Sequence, residues 1–166
     1  MQINFLIAAL AALVPLFLGF IWYNPKVFGG VWMQAAGIFP DKAKDMNMVL
    51  LLVLSYVFAF LIALSMNFLV IHQTHFYSIL VAEPGFGDPN SSVGIMVKDF
   101  MAKYGQNYRT FKHGALHGCI SALLLITPVI STNAIYEGKG FKYIAVNAGY
   151  WILSFMIMGG IISALA

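Results

Sequence analysis

Four long apolar runs constrain this chain more than any other feature of its sequence. They cover about residues 3–23, 46–70, 112–131 and 143–165. Each can cross a hydrocarbon core of about 30 Å as a helix, because a helix rises about 1.5 Å per residue. None shows the two-residue alternation that is typical of barrel strands. The sequence therefore predicts an all-α polytopic membrane protein, with four transmembrane helices in a single domain over residues 1–166.

Composition also indicates a protein that lies in the lipid bilayer, and it argues against nucleic acid as a partner. The chain is 61% hydrophobic and only 9% charged, against about 25% charged residues in soluble domains, so we expect the lipid bilayer to be its main partner. The net charge is +3, and the basic residues are scattered singly. Because this leaves no basic stripe, we expect no nucleic-acid partner. Cys119 is the single cysteine, which excludes an intramolecular disulfide and a multi-cysteine metal site within one chain.

The first run is expected to stay in the protein. No Lys or Arg precedes it, and Trp22 and Tyr23 follow it, unlike the pattern of a secretory signal. Pro15 removes a backbone donor in its middle, so we expect a kink there rather than a break.

The orientation in the membrane follows only weakly from the basic residues. Four crossings would place both ends of the chain on one side. The basic residues divide almost evenly between the two sides. Five belong to one side, Lys26, Lys42, Lys44, Lys139 and Lys142, and four to the other, Lys98, Lys103, Arg109 and Lys112. We expect the protein to lie in the inner membrane of a bacterium. Both ends of the chain are expected on the side away from the cytoplasm.

Aromatic residues concentrate in the first connection. Trp32, Phe28 and Phe39 follow the Trp22-Tyr23 pair, and such residues are typical of headgroup depth. We therefore expect Trp22, Tyr23 and Trp32 to be interfacial anchors, with a short interfacial helix between Pro25 and Ala36.

The long loop of about residues 71–109 changes character along its length. "EPGFGDPNSS" predicts consecutive turns. From Ser92, a good N-cap, apolar residues such as Val93, Val97 and Phe100 recur at helical spacing. This predicts an amphipathic helix of about a dozen residues that lies on the membrane surface or caps the bundle; a gate or a docking surface is the alternative.

Histidines form the candidate ligand site. His113 and His117 are four residues apart, so both rings lie on one helix face. His72 and His75 follow the second run, and antiparallel packing would bring all four to one membrane face. Such a cluster could hold a metal ion, a haem edge or a quinone carbonyl. The alternative is a polar helix entrance bonded to loop carbonyls or lipid phosphates. The metal or cofactor is left unassigned, because two histidines do not complete a site.

Small residues predict helix-packing seams. Gly114, Gly118 and Ala122 recur every four residues on the third helix, a spacing that lets membrane helices approach closely. The fourth helix offers similar positions, Ala145, Gly149, Gly160 and Ala164, together with Asn147 as a polar residue able to bond across an interface. Internal packing is favoured over contact between subunits.

Three segments together resemble a known family. "GFIWYNPKVFGGVWMQAAG" (19–37), "FKHGALHG" (111–118) and "VNAGYW" (146–151) are similar to the small bacterial membrane proteins of the domain of unknown function 1761 family. The resemblance covers nearly the whole chain and implies a four-helix integral membrane protein. It implies no activity and no catalytic residues.

Three functional hypotheses follow. The favoured one is a non-enzymatic helical bundle that self-associates or belongs to a larger membrane complex, because no phosphate-binding loop, nucleophile elbow or buried acid pair is present. A small-molecule or ion transporter is the second. The third is a metal- or haem-binding membrane protein that uses the histidines at one face.

Overall fold

A computed structural model describes residues 3–38 and 47–166. Within these ranges the chain forms seven helices and no strand. The four long apolar helices are α1 (Phe5–Trp22), α3 (Met48–Val70), α6 (Phe111–Tyr136) and α7 (Phe141–Leu165). The three shorter ones are α2 (Gly30–Ala36), α4 (Gln73–Leu80) and α5 (Ser92–Tyr104). The predicted all-α polytopic fold with four candidate membrane spans is confirmed.

Polar caps define where the helices begin. The side chains of Asn4, Asn47 and Thr110 accept hydrogen bonds from backbone N–H groups in the first turns of α1, α3 and α6. Ser91 does the same for α5, so that helix begins at Ser92. Each cap satisfies a donor that would have no partner within its helix.

Proline disturbs two of the spanning helices without ending them. In α1 the helical geometry is interrupted between Ala11 and Leu13, next to the carbonyl group that Pro15 cannot bond. In α6 a π-helical turn over Ala122–Ile126 precedes Pro128. The wider turn adjusts the backbone where the proline has no N–H to donate. Both helices therefore continue through the apolar run, as expected for Pro15.

The last helix is the centre of the bundle. Nine residues of α7 are buried, more than in any other described helix, and α7 packs against α1, α3 and α6. Alanines such as Ala8, Ala63 and Ala122 fill the interior together with Met66 and Met158. Large apolar side chains of the outer helices, including Phe17, Phe20 and Phe58, are exposed, as expected for a surface that faces lipid.

Several boundaries differ from those predicted. Helix α6 continues to Tyr136, five residues beyond the predicted end, because it stops only at Glu137 and at Gly138 with φ 65°. The loop after α3 contains α4, which was not predicted. The interfacial helix after α1 and the amphipathic helix from Ser92 are both present, the former as a π-helical turn over Pro25–Gly29 followed by α2. Met46, Phe39, Lys42 and Lys44 lie outside the described residues.

Candidate functional site

Two chain segments bring histidines to the same end of the bundle. Thr110 caps α6, which places His113 in the first turn and His117 one turn later on the same face. Helix α3 ends at Val70, and the buried Ile71 then turns the chain so that His72 precedes α4. Because α3 and α6 are antiparallel and in contact, His72 arrives beside the two histidines of α6.

The three imidazole rings form one compact group. One ligand nitrogen from each of His72, His113 and His117 can be chosen so that all three lie within 4.8 Å of one another. The Nε2 atoms of His72 and His113 are 2.7 Å apart, so one ring donates a hydrogen bond and the other accepts it. Ring centroids are separated by 4.5–5.0 Å. We call these residues the histidine cluster.

The surroundings of the cluster favour a neutral ring at His72. Burial lowers the pKa of His72 below its usual value, and the neighbouring His113 and His75 lower it further. A lowered pKa favours the neutral ring, and a neutral imidazole has a lone pair to offer to a metal. Among the described residues, no carboxylate or thiolate joins the cluster.

The fourth histidine is placed differently. His75 lies on α4 with an exposed side chain, and it is not part of the cluster. Cys119 lies further along α6, also outside the cluster. Of the four histidines singled out from the sequence, the structure therefore brings three together.

The segment before α6 is fastened to the end of α7. The Arg109 Nε donates to the Ser163 carbonyl oxygen at 2.9 Å, and its guanidinium also donates to the Ala166 carbonyl oxygen. The Ser163 hydroxyl donates to the carbonyl oxygen of Tyr108. Tyr108 has a φ of 63°, and its ring lies 4.8 Å from that of His113. These bonds fix the chain that leads into the histidine cluster. The sequence analysis did not identify Tyr108, because this residue belongs to no recognisable motif.

Glycines of α6 hold the cluster close to α7. A Cβ on Gly114 would lie 2.1 Å from the Gly159 carbonyl oxygen, and one on Gly118 would lie 2.1 Å from the Phe155 carbonyl oxygen. Ala122 is fully buried further along the same helix. The small-residue seam thus lies between α6 and α7 within the chain, and it sets the position of the helix that carries His113 and His117.

The other small residues of α7 receive aromatic rings. Gly160 packs under the Phe111 ring, and Gly149 packs under the indole of Trp22. Ala145 and Ala164 are exposed and take no part in these contacts.

Polar and aromatic residues also meet at the opposite end of the bundle. The Trp22 indole N–H donates to the Val146 carbonyl oxygen at 3.1 Å, and the Tyr23 hydroxyl donates to Asn147 Oδ1 at 3.0 Å. The Trp32 ring lies 5.1 Å from that of Tyr23. Burial raises the pKa of Tyr23, so the phenol stays protonated and can donate. We call Trp22, Tyr23, Trp32 and Asn147 the tryptophan end. Trp22 and Tyr23 lie at the end of α1, and their hydrogen bonds connect this end to α7.

An aromatic cavity of about 310 Å³ adjoins the histidine cluster. It lies between α4, α5 and the turn that follows α5. Its lining residues are His72, Gln73, Phe76, Phe100, Tyr104, Asn107 and Tyr108. His72 therefore belongs both to the cluster and to the cavity wall. Gln73 and Phe76 are three residues apart, a helical spacing that could have predicted α4. This segment was interpreted as part of the loop.

Comparison with known proteins agrees with the architecture. No curated protein and no solved structure matches the chain. The family model described as "Protein of unknown function (DUF1761)" matches residues 6–163, nearly the whole chain. The chain therefore belongs to the DUF1761 family.

Proposed function

We propose that this membrane protein binds a divalent transition-metal ion through His72, His113 and His117. The observation that carries the proposal is the convergence of three ligand nitrogens within 4.8 Å of one another. They come from two segments about 40 residues apart in the chain, whereas helical spacing alone accounts only for the pair on α6.

The distances suit a metal after small side-chain movements. Zinc–nitrogen bonds of about 2.0–2.1 Å in a tetrahedron separate ligand nitrogens by about 3.3 Å. The closest pair is at 2.7 Å and the whole group lies within 4.8 Å. A metal would therefore require the nitrogens of His72 and His113 to move apart by about 0.6 Å, and the most distant pair to approach by up to about 1.5 Å.

The donor set favours a particular class of ion. Mg²⁺ and Ca²⁺ require oxygen ligands, and the cluster offers nitrogen alone. Imidazole suits Zn²⁺, Cu²⁺, Ni²⁺ and Fe²⁺. Three protein ligands would leave a further coordination position for water or another small ligand, as in zinc sites with an open position.

The alternative of a simple polar helix entrance explains less. Imidazoles at a membrane face bond readily to lipid phosphate or to loop carbonyls. Here, however, His72 and His113 bond to one another. Three close imidazoles also cannot all be charged without repulsion, so the arrangement favours a ligand that uses neutral rings.

Self-association and membrane location are questions separate from metal binding. The glycine seam is used between α6 and α7, so it supplies no argument for contact between copies. We place the protein in the inner membrane of a bacterium, because apolar helices rather than barrel strands supply its spans.

Metal titration of four single variants tests the proposal. Detergent-purified protein, stripped of metal with a chelator, is titrated with Co²⁺ and followed by visible absorption. His72→Ala, His113→Ala and His117→Ala are each expected to weaken binding about 100-fold, since each removes one of three ligands.

His75→Ala is the matched control, because His75 is a histidine on the adjacent helix outside the cluster. Its affinity for Co²⁺ is expected to stay within about twofold of the original. Equal losses in all four variants, or a wild-type protein that binds no Co²⁺, would contradict the proposal.

A further inference from the structure

Tyr108 has a backbone conformation that its side chain disfavours. It lies between α5 and α6 with φ 63°, and within residues 3–38 and 47–166 it is the one residue other than glycine with a positive φ. In this left-handed region the Cβ crowds a neighbouring carbonyl oxygen, so a bulky residue is an outlier there. Such a conformation persists only where the surrounding structure imposes it, and it is frequent at functional sites.

Burial does not explain why a tyrosine occupies this position. The side chain is 63% exposed, so its ring adds little to the apolar core. A turn alone would be better served by glycine or asparagine, which adopt a positive φ more readily. The neighbours of the ring therefore supply the reason for a large side chain here.

The ring of Tyr108 lies against two imidazoles of the histidine cluster. Its centroid is 4.8 Å from that of His113, with an interplanar angle of 30°. It is 5.9 Å from that of His72, edge to face at 86°. Both distances are typical of favourable aromatic pairs. The Nε2 atoms of the same two histidines are 2.7 Å apart, so one ring borders both partners of that hydrogen bond.

Both imidazoles need such support if they are to receive a metal. The side chain of His72 is exposed and that of His113 is only partly buried. An imidazole that is free to turn loses this freedom when it binds, which weakens affinity. A neighbouring ring restricts that freedom before the metal arrives. Residues that orient the ligands without binding the metal commonly change metal affinity about 10- to 100-fold.

Bonds to α7 and to the cap of α6 impose the backbone of Tyr108. Its carbonyl oxygen accepts from the Ser163 hydroxyl at 3.2 Å and from the Thr110 N–H at 2.9 Å. The next residue, Arg109, donates to the Ser163 carbonyl oxygen at 2.9 Å. These bonds hold the short segment that leads into α6. The ring is therefore directed at the histidine cluster by its surroundings, against the intrinsic preference of the residue.

We infer that Tyr108 is a positioning residue, which holds His72 and His113 in the orientation that receives the metal. Its ring acts by contact with both imidazoles, and the strained backbone is what brings the ring to them. The inference rests on the proposed function, whereas the contact between the rings does not depend on it. Stability and metal affinity should respond differently to substitutions at this position, because glycine relieves the strain but removes the ring.

Three variants of Tyr108 separate the ring from the backbone. Tyr108→Phe keeps the ring, so its affinity for Co²⁺ is expected to stay within about twofold of the original. Tyr108→Ala and Tyr108→Gly both lose the ring and are expected to bind Co²⁺ about tenfold more weakly. Glycine accepts the left-handed backbone, so Tyr108→Gly should unfold about 2–4 °C above Tyr108→Ala.

Tyr136→Ala is the matched control, since Tyr136 is an 89% exposed tyrosine at the other end of α6. Its affinity for Co²⁺ is expected to equal that of the original protein. Affinities that follow the unfolding temperatures, with Tyr108→Gly restored to the original value, would overturn the inference, because Tyr108 would then act through backbone stability alone. Original affinity in both variants without the ring would also overturn it and would leave the metal proposal standing.

Chemical modification of the metal-free protein tests the ring contact by itself. Diethyl pyrocarbonate acylates imidazoles, and mass spectrometry of peptides gives the rate at each histidine. In Tyr108→Gly the rates at His72 and His113 are expected to rise about threefold, since both rings become more mobile. The rate at His75, which lies outside the cluster, should not change, and Tyr108→Phe should resemble the original protein.

Unchanged rates at His72 and His113 in Tyr108→Gly would overturn the inference. The expected rates in a protein that takes up no Co²⁺ would refute the metal proposal, and they would support the role of Tyr108 in ordering the two histidines.

Discussion

At the tryptophan end, Trp22 and Tyr23 each donate a hydrogen bond to α7, and Asn147 both accepts one from Tyr23 and donates one to the Tyr143 carbonyl oxygen. The opposite end of the bundle, which holds the histidine cluster, is called the histidine end. There one hydrogen bond joins two of the three imidazoles, and the neighbouring Gln73 has a buried acceptor without a donor among the described residues. Both ends combine aromatic and polar side chains where spanning helices terminate.

The two ends illustrate how a structural contact differs from a ligand site. Polar groups that satisfy one another hold helices together and need nothing more. Imidazoles that converge where they can be reached leave lone pairs for a further partner, and a buried acceptor without a donor is costly. The tryptophan end is of the first kind, and the histidine end is of the second.

The largest effect is expected where α6 meets α7, since this contact supports the histidine end. In Gly114→Val the new Cβ would lie 2.1 Å from the Gly159 carbonyl oxygen and 2.4 Å from the Ser163 Cβ. The helices would have to separate, so the free energy of unfolding is expected to fall by about 3 kcal/mol and Co²⁺ binding to be lost. Thermal unfolding in detergent and the cobalt titration measure the two effects.

Gly30→Ala is its control. Gly30 has ordinary helical geometry, with φ −62°, and a Cβ there would meet its nearest neighbour at 3.5 Å. The substitution is expected to leave stability unchanged or to raise it by up to about 1 kcal/mol. An unaltered unfolding temperature in Gly114→Val would mean that α6 and α7 do not pack as described.

Bound metal should stabilise the folded protein through the histidine cluster only. Zn²⁺ at about 100 times its Kd is expected to raise the free energy of unfolding by about 2.7 kcal/mol, because it binds the folded protein. The same Zn²⁺ concentration should stabilise His113→Ala by only about 0.4 kcal/mol, because its Kd is expected to be about 100-fold weaker, and should stabilise Tyr23→Phe as much as the original protein. A rise of the same size in His113→Ala would show that Zn²⁺ acts elsewhere on the protein.

Acid should affect the two ends differently. The folded-state pKa of His72 lies below its usual value of 6.5, so the unfolded chain binds more protons in this range and stability falls as pH drops below about 6.5. Protons also compete with metal, and Zn²⁺ affinity is expected to fall about tenfold or more between pH 7 and pH 5.

Calorimetric titration at several pH values measures this loss of affinity. The hydrogen bond of Tyr23 should be unaffected over the same range, because a phenol is protonated at these pH values and burial raises its pKa further. A Zn²⁺ affinity that does not change with pH would exclude imidazole ligands.

The smallest effect is expected at the tryptophan end. Tyr23→Phe removes the donor to Asn147 Oδ1 and keeps the aromatic contacts, so the free energy of unfolding should fall by about 1 kcal/mol. Co²⁺ affinity should remain within about twofold. Loss of Co²⁺ binding in this variant would mean that the two ends are coupled through the bundle.

The sequence was sufficient for those features that depend on short-range patterns. Continuous apolar runs define the four spanning helices, and the four-residue spacing of His113 and His117 places both on one face. His72 could be added because antiparallel helices return the chain to the same end. The glycine spacing likewise predicts close packing, and the structure shows α7 as the partner.

Long-range contacts explain what the sequence could not provide. The orientation of α4 depends on the stacking of Phe76 with Phe100, which are 24 residues apart. That contact buries Gln73 and leaves His75 exposed, outside the histidine cluster. No local pattern encodes which side of a short helix will face a later one, so four histidines were grouped where three converge. The left-handed backbone of Tyr108 depends in the same way on contacts with the end of α7.

The π-helical turn of α6 has a consequence for how this protein can vary. It lies between His117 and Thr127, and it holds one more residue than an α-helical turn would need. Deleting a single residue within Ala122–Ile126 would restore regular helix and leave the half of α6 after Ile126 in its present orientation relative to the histidines, because the wider turn already absorbs that residue. The two halves of α6 therefore keep one common register, and this turn is the place where the helix tolerates a change of length by one residue while both halves retain their partners.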